Sequence, residues 1–173
     1  ISLTGDSMSL QFFIEGKATT KQEMLLEQIK NALSNIEFTS ASEISGQIKQ
    51  YFPHNIDLKH NRLLCSIDSV GIAICSGHID GLFSKLFNAY SLYQKNEIES
   101  LILISKTAKE AWWNHQEAQL RKGKPIVANN GNRQNWGLVK KALKSSSHWL
   151  DIPVVGIVLE REISSNRFNQ FEW

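Results

Sequence analysis

The sequence predicts an α/β protein with one central mixed β-sheet flanked by helices. Apolar residues recur at helical spacing in five segments, and short β-rich runs lie between them. The order begins with a compact antiparallel stretch and continues with strands separated by helical crossovers, which implies a mixed sheet covered on both faces. Composition agrees with one globular domain: 173 residues, 42% apolar and 21% charged, is neither a disordered nor a coiled-coil balance.

The elements follow in chain order. A helix is expected over 20–33, where Leu25, Ile29, Ala32 and Leu33 form one stripe and Thr20 with Glu23 has capping-box spacing. A second begins near Ser40, with Glu43 three residues on, and runs through Ile44, Ile48, Tyr51 and Phe52 until Pro53 ends it. The period then shortens. Residues 55–58 read as a short strand, and 62–67 and 71–75 as a hairpin joined by Asp68, Ser69 and Val70.

A helix over 81–93 puts Leu82, Leu86, Ala89, Tyr90 and Tyr93 on one side, and the wholly apolar run 101–104 has the character of a buried central strand. Helices are expected at 108–120 and 135–143, and a last strand at 154–159, entered through Pro153. Residues 1–10 lack the basic, apolar and small-residue regions of a signal peptide, and are expected to be an expression remnant or a flexible N-terminus ahead of a single domain over 11–173.

No apolar run approaches the roughly 18 residues of a membrane span, so no membrane partner is expected. Cys65 and Cys75 are the only cysteines, and both sit inside apolar runs. They read as reduced core thiols of a cytoplasmic protein. Cys75 and His78 have a zinc-compatible gap, with Cys65, His54 and His60 nearby, but a structural zinc site normally shows a second tight pair, and none occurs. Walker A, dinucleotide and nucleophile-elbow patterns are absent.

The segment 43–105, with its order helix, three short strands, helix, strand, resembles the core of the PD-(D/E)XK nuclease superfamily. The run from Phe83 to Tyr90, continuing through Asn96-Glu97-Ile98-Glu99-Ser100 into the strand at 101–104, is similar to the Type II restriction endonucleases of the BamHI and BglII group. Ile152-Pro153-Val154-Val155-Gly156-Ile157 resembles the late strand of the same group. The resemblance implies a restriction-endonuclease-like sheet, metal-dependent hydrolysis of double-stranded DNA, Mg²⁺ as cofactor, and a homodimer reading a twofold-symmetric site.

Such chemistry needs converging carboxylates for a hard cation and a lysine or its substitute beside the attacking water. The catalytic motif is degenerate here in either register. One register makes Asp68 the leading ligand and lays Ala73-Ile74-Cys75 on (D/E)-X-K; the other makes Asp57 the first ligand and lays Ser66-Ile67-Asp68 there. Asp57 and Asp68 are therefore the candidate catalytic residues and metal ligands, with Glu43 on the preceding helix as a further catalytic candidate. Beside these stand plainer readings: Asp68 as a turn aspartate, Asp57 as a strand-end residue, Glu43 as part of a helix cap. An inactive member, a nuclease with migrated acids, and an engineered variant with Ala73 in place of a glutamate all remain open.

The net charge of +2 says little about partners, but 106–144 is locally basic. Lys106, Arg121, Lys122, Lys124 and Arg133 are candidate DNA contacts, and Asn130 lies in a polar loop with Asn129, Asn132, Gln134 and Asn135 whose amides suit base edges. Trp112, Trp113 and Trp136 in this region read as core. Two further functions fit the same sequence: a DNA-binding module of this fold that does not cut, and a protein-interaction or immunity domain with an acidic partner.

Overall fold

In a computed structural model, residues 10–36, 39–124 and 133–161 are described. Among them six strands form one sheet in the order β1-β6-β5-β4-β3-β2. The central strand β5 (Ser100–Lys106) is buried at every position, as expected from its unbroken apolar run. It lies parallel to β4 (Val70–Ile74) on one side and to β6 (Val154–Arg161) on the other. Antiparallel strands flank this parallel centre: β3 (Cys65–Ile67) and β2 (Ile56–Asp57) beyond β4, and β1 (Leu10–Glu15) beyond β6.

Alternation along β5 divides the core in two. Ile102 and Ile104 pack under helices α1 (Thr20–Leu33) and α2 (Ala41–Tyr51), with Leu25, Ile29, Leu33, Ile44 and Ile48 above them. Leu101 and Leu103 face the opposite way. They meet Leu82, Leu86 and Ala89 of α3 (Asp80–Gln94) and Val139 and Ala142 of α5 (Trp136–Ser145). Helix α4 (Ala108–Arg121) lies against β5 and β6. The two cysteines belong to different faces, Cys65 to the α1/α2 core and Cys75 to the α3/α5 core, and both are free and buried. Burial raises the Cys65 thiol to about 11 and the Cys75 thiol to about 12. Neither is a thiolate at neutral pH, and the sheet separates them.

Three details differ from the sequence expectation. Helix α1 does start at Thr20, but the capping box is made by Thr19 and Gln22, not by Thr20 and Glu23. Gln22 is fully buried, and its Nε2 also donates to the Leu101 and Pro153 carbonyls at 3.0 and 3.2 Å, which ties the helix start to the sheet. Residues 62–64 are not strand. Arg62 caps a short 3₁₀ turn (Lys59–Asn61) in left-handed conformation, and β3 begins at Cys65. Finally, β1 begins at Leu10 and was not expected; it is half-exposed and lies at the sheet edge, so its pattern is weak.

Gly156 of β6 shows how tightly the α5 side is packed. The Trp136 indole lies directly on its backbone, and a Cβ there would overlap the ring carbons. Gly156→Ala is expected to destabilise the fold by about 1–3 kcal/mol, seen as a lower thermal-unfolding midpoint by about 2–4 °C per kcal/mol. An unchanged midpoint would mean that the indole can shift freely.

Candidate nucleic-acid interface

The parallel strands β4, β5 and β6 all end at the same edge of the sheet, the edge where open α/β sheets gather ligand groups. Beyond β4, Cys75 still hydrogen-bonds the Ile104 carbonyl, and Ser76 and Gly77 then turn outward. Gln134 donates its backbone N–H to the Gly77 carbonyl, and His78 forms an isolated bridge with Arg133, so the chain before α5 is held against this turn. Beyond β5, Thr107 caps α4 through its hydroxyl.

A cleft of about 310 Å³ opens between these pieces and the start of α2. Its lining includes Lys106, Lys122, Arg133, His115, Asn114 and Gln134. A neighbouring cleft of about 390 Å³ runs along α2 and α3, lined among others by Lys49, Lys59, Arg62 and Lys85. Both are bordered by Ala41 at the first turn of α2. That helix start adds its own positive potential where the clefts meet. Among the described residues, seven lysines and arginines line the two clefts and no aspartate or glutamate does.

The carboxylate that acts on Lys106 among the described residues, Glu110, is already committed. Glu110 on α4 is fully buried and accepts from Arg161 Nε at 2.8 Å and from the Arg161 backbone N–H at 3.2 Å. The Thr39 hydroxyl also donates to Glu110, and the Asn114 amide donates to Thr39. This network joins α4, the end of β6 and the residue before the α2 cap, so it fixes the walls of the cleft. Lys106 forms no salt bridge among the described residues and is only 8% exposed. Burial lowers its ammonium to about 8, with Glu110 opposing and Arg161 and Arg133 adding to the drop. Burial, with Arg133 and Lys122, also lowers His115 below the usual histidine value, so its imidazole is neutral at pH 7. Lys85, lowered by burial, donates to the Ile74 carbonyl at 2.6 Å.

Among the described lining residues of the two clefts, none is a candidate metal ligand. Asp68 and Ser69 occupy the β3–β4 hairpin turn, both with positive φ (49° and 66°), as a two-residue turn of matching twist requires. Asp68 is thus at the start of β4, whereas the cleft is beyond its end. Asp57, on the edge strand, pairs across to Cys65, three residues from Asp68, so the two acids stand roughly 10 Å apart along the sheet. Asp57 also accepts the Lys59 backbone N–H at 2.7 Å and pairs with Lys49 at 3.4 Å. The Lys59 contact above all holds its carboxyl below the usual range. Glu43 is in the first turn of α2, where its backbone N–H donates to the Ser40 capping hydroxyl at 3.3 Å. Among the described residues no three histidines, cysteines or acids converge.

Asp57 and Asp68 do not fit one Mg²⁺, whose oxygen ligands must lie about 2.1 Å from it. Ala73 faces the α3/α5 core at 1% exposure, so a glutamate in its place would be buried among leucines.

Of the expected DNA contacts, Lys106, Lys122 and Arg133 line one cleft. Arg121 and Lys124 are exposed at and after the end of α4. Asn130 lies outside the described residues. Trp112 is buried, and Trp136 packs against the α3/α5 core. Sequence reading did not single out Lys49, Lys59, Arg62 and Lys85. They come from two helices and a 3₁₀ turn, and only Lys85, set between the apolar Leu82 and Leu86 faces of α3, carries a local signal.

A buried, unpaired ammonium costs stability. With the Lys106 value depressed from 10.5 to about 8, that cost is on the order of 3 kcal/mol at neutral pH. Because the folded value is below the unfolded one, the cost is complete below pH 8 and relieved as pH rises toward 10.5. Lys106→Met is expected to raise the unfolding midpoint at pH 7, with the gain shrinking between pH 8 and 10.5. A variant less stable than the parent at pH 7 would contradict the unpaired state.

No family model and no curated protein sequence matches the chain. Among solved structures it is similar to the crystal structure of restriction endonuclease BglII complexed with a DNA 16-mer, with a TM-score of 0.58, 11% identity, and coverage of 91% of this chain and 79% of that one. The protein therefore has a restriction-endonuclease-like fold, a mixed six-stranded sheet between helices.

Proposed function

We propose that this protein binds duplex DNA along the two adjoining clefts and holds it without cutting it. The observation that carries this reading is the lining itself: Lys49, Lys59, Arg62, Lys85, Lys106, Lys122 and Arg133, with no carboxylate among the described lining residues and only Lys49 of the seven in a salt bridge there, to Asp57. Lysines and arginines spread over two connected clefts suit a polyanion, because each can meet a phosphate and release a counterion. The likeness to a fold solved with DNA favours a nucleic acid over an acidic protein as that polyanion. The cleavage chemistry implied by the sequence resemblance needs oxygen ligands beside the scissile phosphate. Asp57 and Asp68 are too far apart to supply them jointly, so the non-cleaving member of the two DNA readings is the better supported.

The test is a fluorescence-anisotropy titration with a mixed-sequence duplex over a range of salt, with Mg²⁺ or with EDTA. Binding is expected to weaken with a log–log salt slope of about −3 or steeper, and Lys59→Ala or Arg62→Ala to reduce that slope by about 1 each. Mg²⁺ should not strengthen binding relative to EDTA, since it competes for the same phosphates, and a denaturing gel should show intact strands. Salt-insensitive binding would reject the phosphate contacts; Mg²⁺-dependent fragments would overturn the non-cleaving reading. The stoichiometry, one chain or a homodimer per duplex, is read from the same titration.

Affinity should also fall as pH rises through about 8, since Lys106 then loses the proton that attracts phosphate. The charged groups that act on it are Glu110, Arg161 and Arg133. Lys106→Met should bind more weakly at pH 7 and lose the pH step. A step that persists in that variant would assign it to another group.

A further inference from the structure

The cleft at the end of β5 differs from its neighbour in a way that phosphate binding does not explain. Along with Lys106, Lys122 and Arg133 it is lined by a set of uncharged hydrogen-bonding groups: Asn114, Gln134, the neutral His115 and Ser76. Gln134 is 3% exposed. Its Nε2 donates to the His78 carbonyl at 2.8 Å, which fixes the amide orientation, yet its Oε1 is buried with no partner among the described residues. A buried carbonyl oxygen without a donor is costly, and native structures keep few of them. Its volume, about 310 Å³, is at the small end of pockets that enclose a ligand. A buried cation and a residue with a buried unsatisfied acceptor, both lining one small cleft, suit a ligand carrying both an anion and an N–H.

We propose that this cleft takes a single nucleoside monophosphate unit, with the phosphate on Lys106 and Arg133 and a base N–H donated to Gln134 Oε1. Two sources share that chemistry: a free mononucleotide, and one nucleotide turned out of the DNA held in the adjoining cleft. The second rests on the DNA-binding reading; the first does not. Asn114 is held by Arg161 at 3.3 Å and by Thr39, so it is a fixed neighbour for the same base. Neutral His115 offers one donor and one acceptor.

Calorimetric titration of the full chain with deoxycytidine monophosphate, deoxyribose 5-phosphate and inorganic phosphate tests the base contact without any substitution. The nucleotide is expected to bind at least fivefold more tightly than deoxyribose 5-phosphate. Equal affinities would overturn the base contact, and no binding of any of the three would overturn the site. In variants, Lys106→Met should weaken all three ligands, whereas Gln134→Leu should weaken only the nucleotide, bringing it to the level of deoxyribose 5-phosphate. Loss of all three in a folded Gln134→Leu protein would reject the assigned role.

Competition then separates the sources. A duplex with one unpaired cytidine that the mononucleotide displaces, and that binds more tightly than the fully paired duplex, assigns the cleft to a nucleotide of DNA. Mononucleotide binding that leaves duplex binding untouched assigns it to the free ligand. If the chain binds no duplex at all, the DNA-binding reading fails while the mononucleotide titration still decides this one.

Discussion

The buried Glu110–Arg161 pair is the interaction on which the character of the interface depends. It draws Glu110, the described carboxylate that acts on Lys106, away from the cleft, and it does so with two bonds from one arginine, through Nε and the backbone N–H. The pair also joins α4 to the last residue of β6, and through Thr39 to the approach to α2. A desolvated pair of this kind need not add much net stability, but losing either partner would strand the other charge. Its effect here is placement: an acid sits near a basic cleft without lining it.

The parallel centre of the sheet explains why cations collect at this edge. Strands β4, β5 and β6 run the same way, so their ends and the turns that follow emerge together. Side-chain alternation carries the Ile102–Ile104 face of β5 on to Lys106, just where the α1/α2 cover stops and α4 begins. The lysine is thus the polar continuation of a buried apolar row. Its burial lowers its proton affinity, and the arginines nearby deepen the effect. The cost in stability is the kind that folds tolerate at sites they use.

The likeness to a restriction endonuclease and a cleft lining without acids among the described residues bear on different questions, architecture and chemistry. Fold similarity at 11% identity speaks to architecture, not to chemistry. Chemistry has to be argued from side chains, and here those side chains are cations and amides. Asp68 has a sufficient physical role in the hairpin turn, where two consecutive positive-φ residues are needed. Asp57 has one in its contacts with Lys59 and Lys49.

Much of the architecture was legible in the sequence because it is local. Helical spacing located α1 to α5, Ser40 and Pro53 bracketed α2, and an unbroken apolar run announced β5. The half-exposed edge strand β1 escaped because its pattern is weak, and the α1 cap shifted by one residue because Gln22 also had to satisfy the Leu101 and Pro153 carbonyls. The basic stretch from Lys106 onward was visible as composition. What only the tertiary structure decided is which cations share a surface: Lys49, Lys85 and the Lys59–Arg62 turn come from three elements and meet only when α2 and α3 flank the sheet. Sequence also cannot tell an exposed lysine from a buried one, or an open carboxylate from one paired with an arginine fifty-one residues away. Those distinctions depend on solvent access and on long-range pairing, which local pattern does not encode.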